Sequence, residues 1–175
     1  MSARLPGIGS HHSARRITDE WYTPPEILAA LGPFDLDPCA PPDHPDWTGA
    51  AASYTITDDG LTQPWHGTVW LNPPYSDVAP WMARLAEHGD GIALVFARCE
   101  TRWWFEHVWP HATALLFLAG RVTFYKPDGT PSKAGHNSGG PSVAIAYGAK
   151  CADRLALCGL PGALVDRAQL IGEAS

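Results

Sequence analysis

The sequence predicts one α/β domain with a mixed sheet, abbreviated helices and long loops. Apolar runs typical of buried strands alternate along the chain with segments whose apolar residues recur at helical spacing. The length of 175 residues is that of a single ordinary domain. The 17 glycines and 17 prolines exceed average usage, so we expect long connections between the elements.

The first helix is predicted from capping signals. Thr23 is placed as the N-cap, Pro24 at the first helical position and Glu26 where it closes a capping box. Gly32 and Pro33 are expected to end this helix.

The remaining elements follow from apolar runs and turn residues. Helices are predicted at residues 76–89 and 101–109, and a helical tail at residues 155–157 and 163–171. The later strands are expected to include an antiparallel hairpin. The predicted strands are residues 34–37, 54–56, 68–71, 92–97, 114–118, 121–125 and 142–147.

Three segments are expected along the chain: a mobile basic arm at residues 1–16, the main domain at residues 17–150, and a C-terminal helical tail at residues 151–175 packed on the same domain. No apolar run approaches the roughly 20 residues that cross a bilayer. The N-terminus has no apolar signal core. We therefore expect a cytoplasmic protein, and we expect it to be a monomer.

The formal net charge of −6 is unevenly distributed. Residues 17–90 hold one base, Arg84, against twelve acids. Residues 95–135 hold five bases against three acids, which predicts a surface in that part of the chain that could meet an anion. These five bases are Arg98, Arg102, Arg121, Lys126 and Lys133.

The cysteine and histidine patterns favour no metal site. The four cysteines have no C-x-x-C spacing, so reduced thiols are expected. His107 and His111 are four residues apart, but Pro110 disturbs the helix that would align them, and no third ligand is evident.

The tetrapeptide Asn72-Pro73-Pro74-Tyr75 follows a predicted strand directly. In an open α/β sheet, ligands bind where strands end at their carboxyl side. The Asn72 side-chain oxygen and the Pro73 carbonyl can both accept hydrogen bonds from one NH₂ group, which aims its lone pair at an electrophile. Tyr75 offers a flat face to a planar base. The motif predicts a site that alkylates a conjugated amine, although the same residues also make ordinary turns.

The chain resembles the phage-type DNA N6-adenine methyltransferases, a Dam-type branch of the S-adenosylmethionine-dependent amino-methyltransferases. The resemblance covers roughly residues 19–147, and the matching segments occur in the order found in the family. These segments are Asp19-Glu20-Trp21-Tyr22-Thr23-Pro24, Phe34-Asp35-Leu36-Asp37-Pro38-Cys39-Ala40, Asp59-Gly60-Leu61, Trp65, the stretch from Val69 to Ser76, Ala97-Arg98-Cys99-Glu100-Thr101-Arg102-Trp103-Trp104, and Gly120-Arg121-Val122-Thr123-Phe124.

The resemblance implies a compact Rossmann-like methyltransferase domain that uses S-adenosylmethionine to methylate DNA. It implies that Asn72, Pro73, Pro74 and Tyr75 are catalytic, with Tyr75 stacking on a flipped-out adenine. Flipping is needed because the amine of a paired base cannot reach a methyl donor in line. It also implies direct methyl transfer without a metal or a covalent enzyme intermediate. A phage or prophage origin is implied as well, and the protein would then act in the cytoplasm of the host cell.

The donor-side residues are assigned by the same resemblance. The acid and tight turn after the first strand match the family's first cofactor-binding loop, although the usual Gly-x-Gly is absent. A carboxylate in this loop can bind the ribose hydroxyls or the methionine ammonium of the donor. The implied cofactor-binding residues are Trp21, Tyr22, Thr23, Asp37, Cys39, Ala40 and Asp59.

DNA contacts are expected from the basic residues of the second half. Arg98, Arg102, Arg121, Lys126 and Lys133 are the candidates for phosphate contacts, and each could instead be an ordinary surface charge. The Gly-rich segment at residues 129–140 is too long for a hairpin turn and could fold over DNA.

Three rival interpretations remain open at this point. The acceptor could be cytosine N4, an RNA base or a glutamine amide, since the same hydrogen-bond acceptors suit each. The absent Gly-x-Gly would fit a DNA-binding relic that has lost the donor. The eight tryptophans would fit an interaction protein with a sticky surface.

Overall fold

The computed structural model describes residues 22–42, 49–126, 128–132 and 140–167. Within these ranges there are four helices and seven strands. The helices are α1 (Pro25–Leu31), α2 (Val78–His88), α3 (Arg102–His107) and α4 (Ala149–Leu157). The strands are β1 (Phe34–Asp37), β2 (Ala50–Ser53), β3 (Val69–Leu71), β4 (Gly91–Phe96), β5 (Ala114–Leu118), β6 (Ser142–Tyr147) and β7 (Gly162–Asp166).

All seven strands form one mixed sheet in the order β2-β1-β3-β4-β6-β5-β7. The four strands β2, β1, β3 and β4 run parallel. Strand β6 is antiparallel to both β4 and β5, so β5 runs in the direction of β4. The carboxyl ends of β1 to β5 therefore lie at the same edge of the sheet.

Helices cover both faces of the sheet because the central strands are apolar on both sides. All six residues of β4 are buried. Ile92 and Leu94 pack in one core with α1 and α4. Ala93 and Val95 pack in the other core with α2 and α3. The predicted α/β class with a mixed sheet is thereby confirmed.

Several predicted elements have the observed boundaries. Strands β1, β5 and β6 occupy the predicted residues 34–37, 114–118 and 142–147. Helix α2 ends at Gly89, which adopts a left-handed conformation with φ 76°. Antiparallel pairing of the later strands is also observed, between β5 and β6 and between β5 and β7.

Two predicted strands are wrong. The strand expected at residues 54–56 lies instead at Ala50–Ser53, where weak β-formers pair in parallel with β1. Residues 121–125 do not form a strand, and Tyr125 makes only isolated bridges to Tyr22 and Pro131. Strands β6 and β7 occupy both sides of β5, which leaves no position beside β5 for this segment.

The helical tail is wrong in its second part. Residues 162–166 form β7, which pairs with all five residues of β5. Tertiary pairing with the edge of the sheet outweighs the local helical pattern. The predicted residues 168–171, like the arm at residues 1–16, lie outside the described residues. No helix in the described ranges has the length and apolar character needed to cross a membrane.

The predicted capping box at the start of α1 is also wrong. The helix begins at Pro25, its N-cap is Pro24, and no side chain caps it. The Thr23 hydroxyl instead accepts a hydrogen bond from Asn72 Nδ2 at 3.2 Å. A contact with the Asn72-Pro73 turn therefore replaces the local cap.

Candidate active site

A cavity of about 560 Å³ opens at the carboxyl ends of β1 and β3. These two strands are neighbours in the sheet, but the chain leaves β1 toward β2 on one side and leaves β3 toward β4 on the other. A crevice forms where the direction of winding reverses in this way, and it is the usual ligand site of open α/β sheets. Its volume lies in the range of small-molecule sites.

The turn at residues 72–75 forms one wall of the cavity. Asn72 follows β3 directly, and the short strand places it at the edge of the sheet. The hydrogen bond from Asn72 Nδ2 to Thr23 fixes the amide group, and the Asp77 amide donates to the Pro74 carbonyl at 3.1 Å. Pro73 is buried, so the turn is held rigidly from both ends.

Tyr75 is packed among aromatic rings at this wall. Its ring stacks on Phe96 with centroids 4.1 Å apart and planes 9° apart. Phe124 approaches with an interplanar angle of 75° at 6.4 Å. Tyr75 also lines a second recess of about 330 Å³, so it separates the two hollows.

Asp37 lines the cavity at the end of β1, the strand next to β3. Its side chain is 5% exposed, and burial raises its pKa to about 7, although the hydrogen bond from the Cys39 amide at 3.0 Å acts in the other direction. Burial, and then the nearby Asp37 carboxyl, raises the pKa of the Cys39 thiol to about 12, so that thiol stays protonated. No charged group among the described residues contributes to this pKa. A buried acid of this kind is suited to a cationic or hydrogen-bond-donating ligand.

The raised pKa of Asp37 predicts a measurable dependence of stability on pH. Because the pKa in the folded state lies above the unfolded value of 3.8, the contribution of Asp37 is fully present below about pH 4 and is lost as pH rises through 7. We expect Asp37→Asn to gain about 2 kcal/mol of unfolding free energy over wild type between pH 5 and pH 8. Denaturant unfolding of both proteins at the two pH values checks this. If the difference in unfolding free energy between the two proteins were the same at both pH values, Asp37 would not be a buried carboxyl with a raised pKa.

Asp35, which shares β1 with Asp37, lies outside this cavity. Its carboxylate accepts a hydrogen bond from the Thr68 amide at 2.7 Å and so ties β1 to the start of β3. Asp35 therefore has a structural role in the sheet.

The loop at residues 55–60 forms the third wall. Asp59 lines the cavity and adopts a positive φ of 53°, which is uncommon for an aspartate. A Cβ atom at Gly60 would lie 1.9 Å from the Pro38 carbonyl oxygen. The loops at residues 37–40 and 55–60 therefore touch at a point where only glycine fits. Ile56 lines the cavity while 84% exposed, so its side chain is available to cover a ligand.

Trp65 and two residues of α2, Trp81 and Arg84, hold this loop in place. The Trp65 indole donates to the Gly60 carbonyl at 2.8 Å and stacks near Trp81 at 6.4 Å. The Arg84 guanidinium lies 5.4 Å from the Trp65 ring and donates to the Gln63 carbonyl at 2.8 Å. Arg84, the one base among residues 17–90, therefore helps to hold the loop in place. Trp81 itself lines the cavity.

The structure places almost all the residues expected to bind donor and acceptor around one cavity. Their individual roles stay predictions. Trp21 lies outside the described residues. The predicted residues that line the cavity are Tyr22, Thr23, Asp37, Cys39, Ala40, Asp59, Asn72, Pro73, Pro74 and Tyr75. Sequence reasoning missed several lining residues, among them Leu28, Ile56, Trp70 and Trp81. Leu28 and Trp70 carry only the signal of core residues, and no local pattern distinguishes Trp81 from the apolar face of α2.

The described candidates for DNA contacts lie on three different segments of the chain. Arg98 is exposed at the second recess, just after β4. Arg102 is 89% exposed, and its Nε atom lies 2.6 Å from Glu106 Oε1. Arg121 and Lys126 belong to the irregular segment after β5, at the same edge of the sheet. Lys133 lies outside the described residues, and these roles also stay predictions.

The described residues contain no group of three or more side chains that could hold a metal ion. The four cysteines, all of them described, form no disulfide.

The chain is similar over most of its length to one protein family. The model of the family described as DNA N-6-adenine-methyltransferase (Dam) matches residues 10–154. The chain belongs to this family. The resemblance inferred from the motifs is therefore confirmed, and this Dam-family chain carries Asn72-Pro73-Pro74-Tyr75 inside the matched region.

A curated relative of this Dam-family chain comes from a bacteriophage. A DNA N-6-adenine-methyltransferase of Escherichia phage T1 is 25% identical over 117 residues, which cover 61% of this chain and 48% of the phage protein. The chain thus spans about half the length of the curated relative that it matches. No solved structure matches the chain.

Proposed function

We propose that this chain is a DNA methyltransferase that transfers a methyl group from S-adenosylmethionine to the N6 amine of a flipped-out adenine. The observation that carries the proposal is that the Asn72-Pro73 turn and the buried Asp37 line one cavity at the ends of two neighbouring strands. Membership in the Dam family supports adenine in DNA as the acceptor over cytosine, RNA or a glutamine amide. The mixed sheet with helices on both faces fits a Rossmann-like methyltransferase domain.

The cavity fits the proposed donor in charge and in surface character. Asp37 provides a buried carboxylate for the donor's ammonium or ribose hydroxyls. Ile56 and Trp81 provide apolar walls for its ring, and Asp59 lies on the same loop as Ile56. These contacts are made without a Gly-x-Gly sequence, because Gly60 supplies the close approach of the two loops.

The chemical demands on the protein are orientation and desolvation. S-adenosylmethionine supplies an electrophilic methyl group. Asn72 and the Pro73 carbonyl accept the two hydrogens of the adenine amine, so the lone pair of the nitrogen points at the donor. Tyr75 stacks on the adenine ring and holds it out of the helix. As the new C–N bond forms, the methyl–sulfur bond of the sulfonium breaks and S-adenosylhomocysteine leaves as a neutral thioether. The nitrogen then loses a proton to water.

Donor binding is expected to depend on pH through Asp37. Either proposed donor contact favours the ionised carboxylate, whereas burial raises the pKa of Asp37 to about 7 in the empty cavity. Donor affinity should therefore fall about fivefold from pH 7 to pH 6, with uptake of the donor releasing a proton. Calorimetric titration with S-adenosylmethionine checks this, and Asp37→Asn should bind weakly without the pH dependence. Absence of any saturable binding by wild type would favour the relic interpretation.

Nucleoside analysis tests the choice of acceptor. Purified protein is incubated with S-adenosylmethionine and DNA from a bacterial host that lacks adenine methylation, and the digested DNA is analysed by mass spectrometry. The proposal predicts N6-methyladenine. N4-methylcytosine alone, or methylation of added RNA alone, would contradict it.

A further inference from the structure

Phe96 lies directly behind Tyr75, and the mechanism above does not use it. The ring centroids are 4.1 Å apart and the planes differ by 9°, so the two rings stack face to face. Phe96 is the last residue of the fully buried β4 and is 7% exposed. A rigid strand thus carries a flat ring that covers one face of the residue proposed to stack on adenine.

Phe96 stacks on Tyr75 from the side of the second recess. Tyr75 lines both the cavity and the second recess, whereas Phe96 lines only the recess. The opposite face of Tyr75 is therefore the one that a base in the cavity can stack on.

The position of Phe96 is fixed by its surroundings. Its carbonyl accepts a hydrogen bond from the Arg98 amide at 2.8 Å, and the next amide, of Ala97, donates to Pro141 at 2.9 Å. A Cβ atom at Gly140 would lie 3.7 Å from Phe96 Cγ, so the backbone there packs closely against the ring. Moving the ring aside would require moving the junction of β4 and β6.

We infer that Phe96 is a positioning residue that holds the Tyr75 ring in the orientation needed to stack on the target adenine. The inference rests on the proposed function. A tyrosine on a turn would otherwise lose rotamer freedom each time a base stacked on it, which weakens binding. Because Phe96 already holds the Tyr75 ring in place, this rotamer freedom is lost when the protein folds and not when DNA binds. Phe96 therefore acts on DNA binding through Tyr75, without touching the donor.

Three variants separate this role from simple packing. Phe96→Leu keeps an apolar side chain but removes the flat ring, whereas Phe96→Tyr keeps the ring. Phe117→Leu makes the same change in β5 at a residue that lines neither hollow. Methylation of DNA from a host without adenine methylation gives KM and kcat for each protein. Calorimetry with S-adenosylmethionine and thermal unfolding give donor affinity and stability.

Phe96→Leu is expected to raise the KM for DNA about fivefold, the lower end of what one base–aromatic stack contributes. The kcat should change less than KM, and donor affinity should equal that of Phe117→Leu. Phe96→Tyr should restore the wild-type KM. An equal KM in wild type and Phe96→Leu would overturn the inference, because packing alone would then explain Phe96. A lower KM in Phe96→Leu would also overturn it, since Phe96 would then occupy the place of the base. A wild-type protein without adenine methylation would overturn the proposed function and, with it, this inference.

Discussion

Asn72→Ala is expected to lower kcat by two to three orders of magnitude, roughly what one positioned hydrogen-bonding group contributes to a transition state. The substitution removes one of the two acceptors proposed to orient the adenine amine and leaves only the Pro73 carbonyl. Asp37 and the donor-side loops lie on other walls of the cavity, so donor affinity should remain close to that of wild type. Single-turnover methylation and calorimetry measure the two quantities separately.

Thr23→Val is the matched control for this prediction. Asn72 donates to the Thr23 hydroxyl at 3.2 Å, so loss of that hydrogen bond could by itself disturb the turn. Valine has nearly the shape of threonine but cannot accept the bond. We expect a loss in kcat of about tenfold, consistent with a disturbed orientation alone. A loss equal to that of Asn72→Ala would indicate that Asn72 only anchors the chain before α1, which would contradict its proposed role.

Gly60→Ala is expected to lower donor affinity by at least about a hundredfold. The two loops at residues 37–40 and 55–60, which we propose bind the donor, would have to move apart at an energetic cost. The new Cβ atom would lie 1.9 Å from the Pro38 carbonyl oxygen, and a backbone atom cannot turn aside as a flexible side chain can. The shift would move Asp59 on one loop and Cys39 on the other, both of which line the cavity. Calorimetry with S-adenosylmethionine measures the loss.

Gly140→Ala provides the comparison for donor binding. The nearest described atoms to a Cβ atom at this position belong to Phe96, the first of them at an ordinary contact distance of 3.7 Å. Its donor affinity should equal that of wild type. If Gly60→Ala bound the donor as tightly as Gly140→Ala, the donor could not occupy the space between the loops at Pro38 and Gly60.

The location of the site could be predicted because its strongest signals are local. Two apolar strands end abruptly, at Asp37 and at Asn72, and parallel neighbouring strands bring such ends together. The prolines after Asn72 exclude continuation of the strand. Local chemistry therefore predicts two of the segments that line the cavity.

The features that were missed depend on contacts between distant segments. The Trp65 and Arg84 cluster joins residues about twenty positions apart, and neither residue type indicates a partner. Thr23 has a typical capping signal, but its hydroxyl is taken by Asn72, 49 residues away. The local pattern of residues 163–166 predicts a helix, but these residues pair with the open edge of β5 as a strand. In each case tertiary pairing outweighs a weak local preference.

The central claim is that this chain methylates adenine N6 in DNA through the Asn72-Pro73 turn. The most direct measurement is the N6-methyladenine content of DNA from a host without its own adenine methylase, expressing either wild type or Asn72→Ala. We predict a clear signal with wild type that disappears with the variant. No signal from a folded wild-type protein that binds S-adenosylmethionine would contradict the claim and point to another amine as the acceptor.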